Sequence, residues 1–126
     1  TLTGAVVKAL GYELSGLMTQ DKALRSALTL AGEQSGDEVW SLPLDARLKK
    51  QTESAIADLC NTPTNNAAIS ASAAWLLHHF CPADIPWAHL DVSGTALWRE
   101  GGKSVASGRP IPLLMQHLLN DLVKEA

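Results

Sequence analysis

Behind Pro110, six apolar residues recur at helical spacing: Ile111, Leu114, Met115, Leu118, Leu119 and Leu122. A helix carrying such a stripe is expected to bury it against another layer. Pro110 suits the first turn of that helix, and the spacing predicts that the six residues line its inner face. A second helix makes a similar demand. Ala23, Leu24, Ala27, Leu28, Leu30 and Ala31 form one broad apolar face behind Asp21, and Gly36 ends it. A third runs from Ala67 to Phe80, with Asn66 as its cap and Pro82 just beyond. Its alanines predict close packing on another backbone layer, and an exposed face where that layer is missing.

The segments between these helices are short. Thr3 is placed to cap a small helix that Gly11 stops. Strands are predicted over Glu13 to Met18, Ala55 to Cys60 and Pro86 to Val92. Val39 to Leu44 reads as extended or loop because of Pro43, and Asp45 opens a further helix through Ser54. Ser93 to Gly108 reads as a glycine-rich loop. Alternation of α and β predicts a layered α/β fold, helices packed on a mixed β-sheet. The 126 residues are enough for one unit. Two or three strands are few for at least three amphipathic helices, so the sheet is expected to be incomplete.

The formal net charge is −3, with lysines and arginines scattered, so no basic footprint for nucleic acid is expected. No stretch of about eighteen apolar residues suggests a membrane span. Cys60 and Cys81 make no disulfide framework, and both read as reduced, intracellular thiols. The chain opens on Thr1 rather than Met and is read as a trimmed or excised piece.

Chemistry-bearing clusters are sparse. His89 and Asp91 share one side of a predicted strand and could ligate a metal, but no third ligand can be nominated. They read as a hydrogen-bonded pair. His78 and His79 are adjacent on a helix and point different ways. Gly101-Gly102-Lys103-Ser104 has the ending of a phosphate loop, but Leu97 stands where its first glycine belongs. The tryptophans at 40, 75, 87 and 98 read as core and interface anchors. From the residues alone the reading stops at an intracellular α/β piece with no named reaction.

Four blocks in order carry a resemblance. They are Thr1-Leu2-Thr3-Gly4-Ala5 with Ala9-Leu10-Gly11; Gly36-Asp37 with Val39-Trp40 and Leu42-Pro43-Leu44; Trp87-Ala88-His89-Leu90-Asp91 with Gly94-Thr95-Ala96; and Gly108-Arg109-Pro110. Together they resemble the C-terminal part of the catalytic domain of the leucyl (cytosol) aminopeptidase family, and they span nearly the whole chain. The resemblance implies an incomplete three-layer α/β/α metallopeptidase catalytic domain over residues 1–126. It implies a cytoplasmic, homohexameric parent that releases N-terminal residues from peptides with two divalent metal ions, zinc or manganese.

The family's metal and catalytic motifs, K-x-x-x-x-D and N-T-D-A-E-G-R, do not occur in this sequence. No metal ligand, catalytic side chain or bound metal is therefore expected in this piece, which should be inactive without the remainder of its own chain. What carries over is substrate binding. Thr1, Leu2 and Gly4 match a turn whose backbone groups meet substrate, where free N–H groups suit a developing negative charge. Ser93 and Ala96 match the pocket for the N-terminal side chain.

Three departures stand out. Ser93 replaces the family's usual alanine, which predicts a slightly more polar pocket. Leu97 intervenes before Trp98, and Ala67-Ala68 stand where a glycine pair is common. The alternative function is a non-catalytic binding or scaffold module on the same fold; an independent small interaction domain is a third. No nucleic acid and no membrane are expected as partners.

Overall fold

The computed structural model describes residues 4–63 and 68–125. Thr1, Leu2, the Thr3 cap and the Asn66 cap lie outside the described residues. Helix α1 is Val7–Leu10, strand β1 Ser15–Met18, helix α2 Lys22–Ser35 and strand β2 Val39–Ser41. A 3-10 helix follows at Ala46–Thr52, then helix α3 Ile69–His78 and strand β3 His89–Asp91. Strands β4, Leu97–Glu100, and β5, Lys103–Ala106, precede helix α4, Ile111–Glu125.

The main sheet has the order β2-β1-β3, with β2 parallel and β3 antiparallel to β1. Among the described residues, neither β2 nor β3 pairs with a further strand. β1 is buried on both faces, so alternate side chains feed two cores. Leu17 joins Leu28 of α2, Val39 and Leu113 of α4. Met18 joins Leu44, Ala71, Ala74 and Trp75 on the side of α3 and the 3-10 helix. The mixed sheet is thus the middle of three α/β/α layers, as predicted.

Local chemistry explains most element boundaries. The Asp21 carboxylate accepts from the Leu24 N–H at 2.9 Å and opens α2. Asp45 accepts from the Arg47 N–H at 2.8 Å and opens the 3-10 helix. Ala68 leads into α3 with φ 49°, a left-handed conformation that costs an alanine about 1 kcal/mol or more relative to glycine. Residue 68 thus holds the left-handed geometry although it is alanine rather than glycine.

Four expectations are corrected. Ala55 to Cys60 is a run of bends rather than a buried strand; Ile56 is 98 % exposed. Inside the expected glycine-rich loop sits a hairpin, β4 and β5, turned by Gly101 and Gly102, both at positive φ. The small-residue face of α3 is buried rather than exposed: Ser70, Ala71, Ser72 and Ala74 pack inward with Trp75.

The last helix is inverted relative to the stripe. Leu113 is its one buried described residue, and Gln116, His117 and Asn120 share that half-buried side. Gln116 donates to Asn120, and Asn120 donates to Gln34 of α2 at 2.8 Å. The six stripe residues stand between 42 % and 63 % exposed. Polar contacts to α2 and the seat of Leu113 set the helix rotation, leaving the apolar face outward.

Candidate functional site

Helix α1 is the hub around which the described site residues gather. Val6 is buried against β1, and a Cβ on Gly16 would lie 3.0 Å from Val6 Cγ2. Gly4, at φ 70°, accepts from the Val7 N–H at 3.0 Å. The Val7 side chain then reaches both glycines of the resemblance: its Cγ2 lies 3.5 Å from a Cβ built on Gly4 and 3.1 Å from one built on Gly94. Gly94 also packs on the end of α1, where an added Cβ would approach the Gly11 carbonyl oxygen to 2.7 Å. Gly4 and the segment 93–96 are therefore brought to one place. Thr1 and Leu2 lie outside the described residues.

The segment 92–96 folds as a tight turn in which the Thr95 and Ala96 N–H groups donate to the Val92 carbonyl. Three contacts pin it from behind. The Thr95 and Ser15 hydroxyls meet at 2.6 Å in a buried contact. The Ser107 hydroxyl donates to the Thr95 carbonyl at 2.6 Å, and the Ser107 N–H donates to the Ala96 carbonyl at 2.9 Å. The Arg109 N–H donates back to the Ser107 hydroxyl. Ser93 and Ala96, both half-buried, are thereby presented on a braced loop.

Asp91 sits at the start of this turn, almost fully buried. Its Oδ1 accepts from the Ser93 hydroxyl at 2.7 Å and from the Ser93 N–H at 3.2 Å. Burial alone would raise the carboxyl; the donors that converge on it, led by Ser93, hold it below the ordinary carboxylate value, so it accepts as an anion. Burial pushes the His89 imidazole down despite the nearby Asp91 charge. The His89 ring stacks on Trp87 at 6.3 Å, and Trp87 in turn meets His78 edge-on. Asp91 is hydrogen-bonded to Ser93 rather than paired side by side with His89 as expected.

The described residues do not fit a metal ion. Among them no three His, Cys, Asp or Glu side chains converge, and a protein metal centre normally needs at least that many. No described helix is long and apolar enough to cross a membrane.

Sequence reasoning missed two features. One is Asp91 as the partner of Ser93, which the D-x-S spacing could have signalled, since a carboxylate commonly takes a donor two residues on. The other is a cavity of about 640 Å³ lined by Val6, Lys8, Ala9, Met18, Leu42 and Ile69, among others. Its walls come from α1, β1 and α3 regions far apart in sequence, so no local pattern marks it. Neither Ser93 nor Ala96 lines it.

Residues 1–115 match the model of the cytosol aminopeptidase family, catalytic domain. Among curated relatives, a probable cytosol aminopeptidase of Bordetella avium is 50 % identical over 120 residues, 95 % of this chain and 23 % of the relative. One of Psychromonas ingrahamii is 48 % identical over the same shares. This chain thus spans about a quarter of the length of the relatives it matches. Among solved structures, a lysine-to-glutamate variant of tomato leucine aminopeptidase aligns with a TM-score of 0.81 at 31 % identity, over 93 % of this chain and 23 % of that one. The bottromycin maturation enzyme BotP in complex with Mn aligns with the same TM-score and identity, over 91 % of this chain and 26 % of that one.

Proposed function

The chain belongs to the cytosol (leucyl) aminopeptidase family, and from that premise we propose that it is the C-terminal part of the catalytic domain of a metal-dependent aminopeptidase releasing N-terminal residues from peptides. The match of residues 1–115 to the family's catalytic domain carries this reading. The packing of Gly4 and the 93–96 turn around Val7 supports it, because the two substrate-facing segments of the resemblance then share one wall.

In this reading the chain supplies binding and positioning. Backbone groups at Thr1, Leu2 and Gly4 meet substrate, and Ser93 and Ala96 are the small residues beside its first side chain. Two divalent ions, zinc or manganese, activate water and polarise the scissile carbonyl when bound. Residues of the parent outside this chain hold them, and the structural relative BotP, solved in complex with Mn, agrees with that chemistry. No bond-making step is assigned to a side chain here.

The remainder of the parent chain is also the proposed cover for the α4 stripe. The chain exposes 8290 Å², whereas a compact monomer of its mass exposes about 6,500 Å². Six large apolar residues on one helix face account for part of the excess, and a patch of that kind calls for a partner. A cytoplasmic homohexamer acting on peptides, with no nucleic acid or membrane partner, completes the proposal.

The test is hydrolysis of leucine amide with added manganese or zinc. The full-length protein should turn over and lose activity to a chelator; the 126-residue chain alone should give none. Metal-dependent turnover by the chain alone would refute this division of labour. A well-folded, metal-loaded parent without turnover would favour the alternative, a non-catalytic binding or scaffold module.

A second expectation concerns the pocket. In the full-length enzyme Ala96→Trp should penalise leucine substrates more than alanine ones, by roughly tenfold or more in the ratio of kcat/KM, because an indole fills the space a branched side chain needs. An unchanged ratio would remove Ala96 from the pocket.

A further inference from the structure

We propose that Asp91 is a positioning residue for side-chain selectivity: it engages the Ser93 hydroxyl so that this wall offers a bound substrate no hydrogen-bond donor. The inference rests on the reading of Ser93 and Ala96 as pocket walls and adds a residue that reading does not contain.

A serine hydroxyl has one proton to donate. Here that proton points to Asp91 Oδ1 at 2.7 Å, and the Ser93 N–H donates to the same oxygen at 3.2 Å. Two donors from one residue to one oxygen close a small ring and hold the side chain in a single rotamer. Asp91 is itself fixed. It pairs with Gly16 in the β1–β3 ladder, and a Cβ on Gly16 would lie only 3.5 Å from its own. A bond to a buried carboxylate is charge-assisted, and a neutral oxygen on a substrate does not compete with it. Ser93 therefore presents this wall with acceptor lone pairs only, and the donor that serine would add to the pocket is withheld by Asp91.

The experiment uses the full-length, metal-loaded enzyme and compares kcat/KM for leucine amide with that for asparagine amide. The two side chains share a branched shape; asparagine adds a carbonyl acceptor and an NH2 donor. Asp91→Ala frees the hydroxyl and should lower the leucine-to-asparagine ratio by roughly 3- to 10-fold, the worth of one gained hydrogen bond. The same substitution in a Ser93→Ala background should leave the ratio where that background puts it. Asp91→Asn keeps an acceptor oxygen for Ser93 but removes the charge assistance, and should give a ratio between those of the wild type and Asp91→Ala.

An equal shift in both backgrounds would overturn the proposal, as would no shift on the serine background while Ala96→Trp still discriminates. Should Asp91→Ala not fold, Ser93→Ala decides. There the comparison uses aspartate β-methyl ester amide, whose side chain only accepts: a selective loss of its turnover would mean the hydroxyl already donates to substrate, against the proposal; an unchanged ratio supports it. If Ala96→Trp also fails to discriminate, the pocket reading itself falls and takes this inference with it.

Discussion

Asp37→Ala is expected to destabilise the protein by about 3–5 kcal/mol, the cost of breaking a buried ion pair from one side. Asp37 is 2 % exposed and the Arg109 side chain 12 %. The Arg109 Nε–H donates to Asp37, while its two terminal nitrogens donate to the carbonyls of Glu13 and Glu38, each at 2.8 Å. The second Asp37 oxygen accepts from the Leu113 N–H in the first turn of α4, at 3.4 Å. One ion pair therefore ties the segment leading into β1, the loop between α2 and β2, and the start of α4.

Removing the carboxylate leaves a guanidinium with little access to water and no counter-charge. Urea denaturation of the variant and parent proteins measures the loss. A decrease below about 1 kcal/mol would place the pair among solvent-screened surface bridges instead. The double variant Asp37→Ala/Arg109→Met should lose less than the sum of its two single changes, because no orphaned charge remains.

In the proposed full-length enzyme, Gly94→Ala should have its larger effect on turnover. The new Cβ would meet the Gly11 carbonyl oxygen at 2.7 Å and Val7 Cγ2 at 3.1 Å. The first contact is with backbone, which cannot rotate aside, so the 93–96 turn has to lift off α1. Overpacking of this kind costs about 1–3 kcal/mol of stability. Lifting the turn by about 1 Å also moves Ser93 and Ala96 together, and misplacement on that scale lowers kcat/KM for leucine amide by roughly 100-fold. Full activity in a folded Gly94→Ala enzyme would show that the turn does not contribute to binding.

Both arguments turn on contacts that no local sequence pattern displays. Gly108-Arg109-Pro110 is visible as a block, yet the guanidinium of Arg109 joins Glu13, Asp37 and Glu38, all more than seventy positions away. The hairpin of β4 and β5 was legible in principle: Gly101-Gly102 between Trp98 and Val105, which face each other across the strands, is a hairpin signal. The surrounding glycines and serines give the whole segment the composition of a loop and mask it. Ala55 to Cys60 shows the converse error. Its alanines, isoleucine and leucine resemble a buried strand, but apolar composition alone does not say whether a neighbouring strand exists to pair with it.

What the sequence determined by itself was local or carried by ordered blocks. Capping carboxylates at Asp21 and Asp45 and stops at Gly11 and Gly36 follow from interactions within a few residues. The four blocks carried the family because each keeps residue identities that backbone geometry demands, Gly94 above all. Only the tertiary structure decided which helix faces were covered. The period of α4 told correctly that one side is apolar but not which side meets α2. That rotation is set by Leu113, Asn120 and the Asp37–Arg109 anchor. These are interactions between residues more than seventy positions apart, and a periodicity measured within one helix contains no information about them.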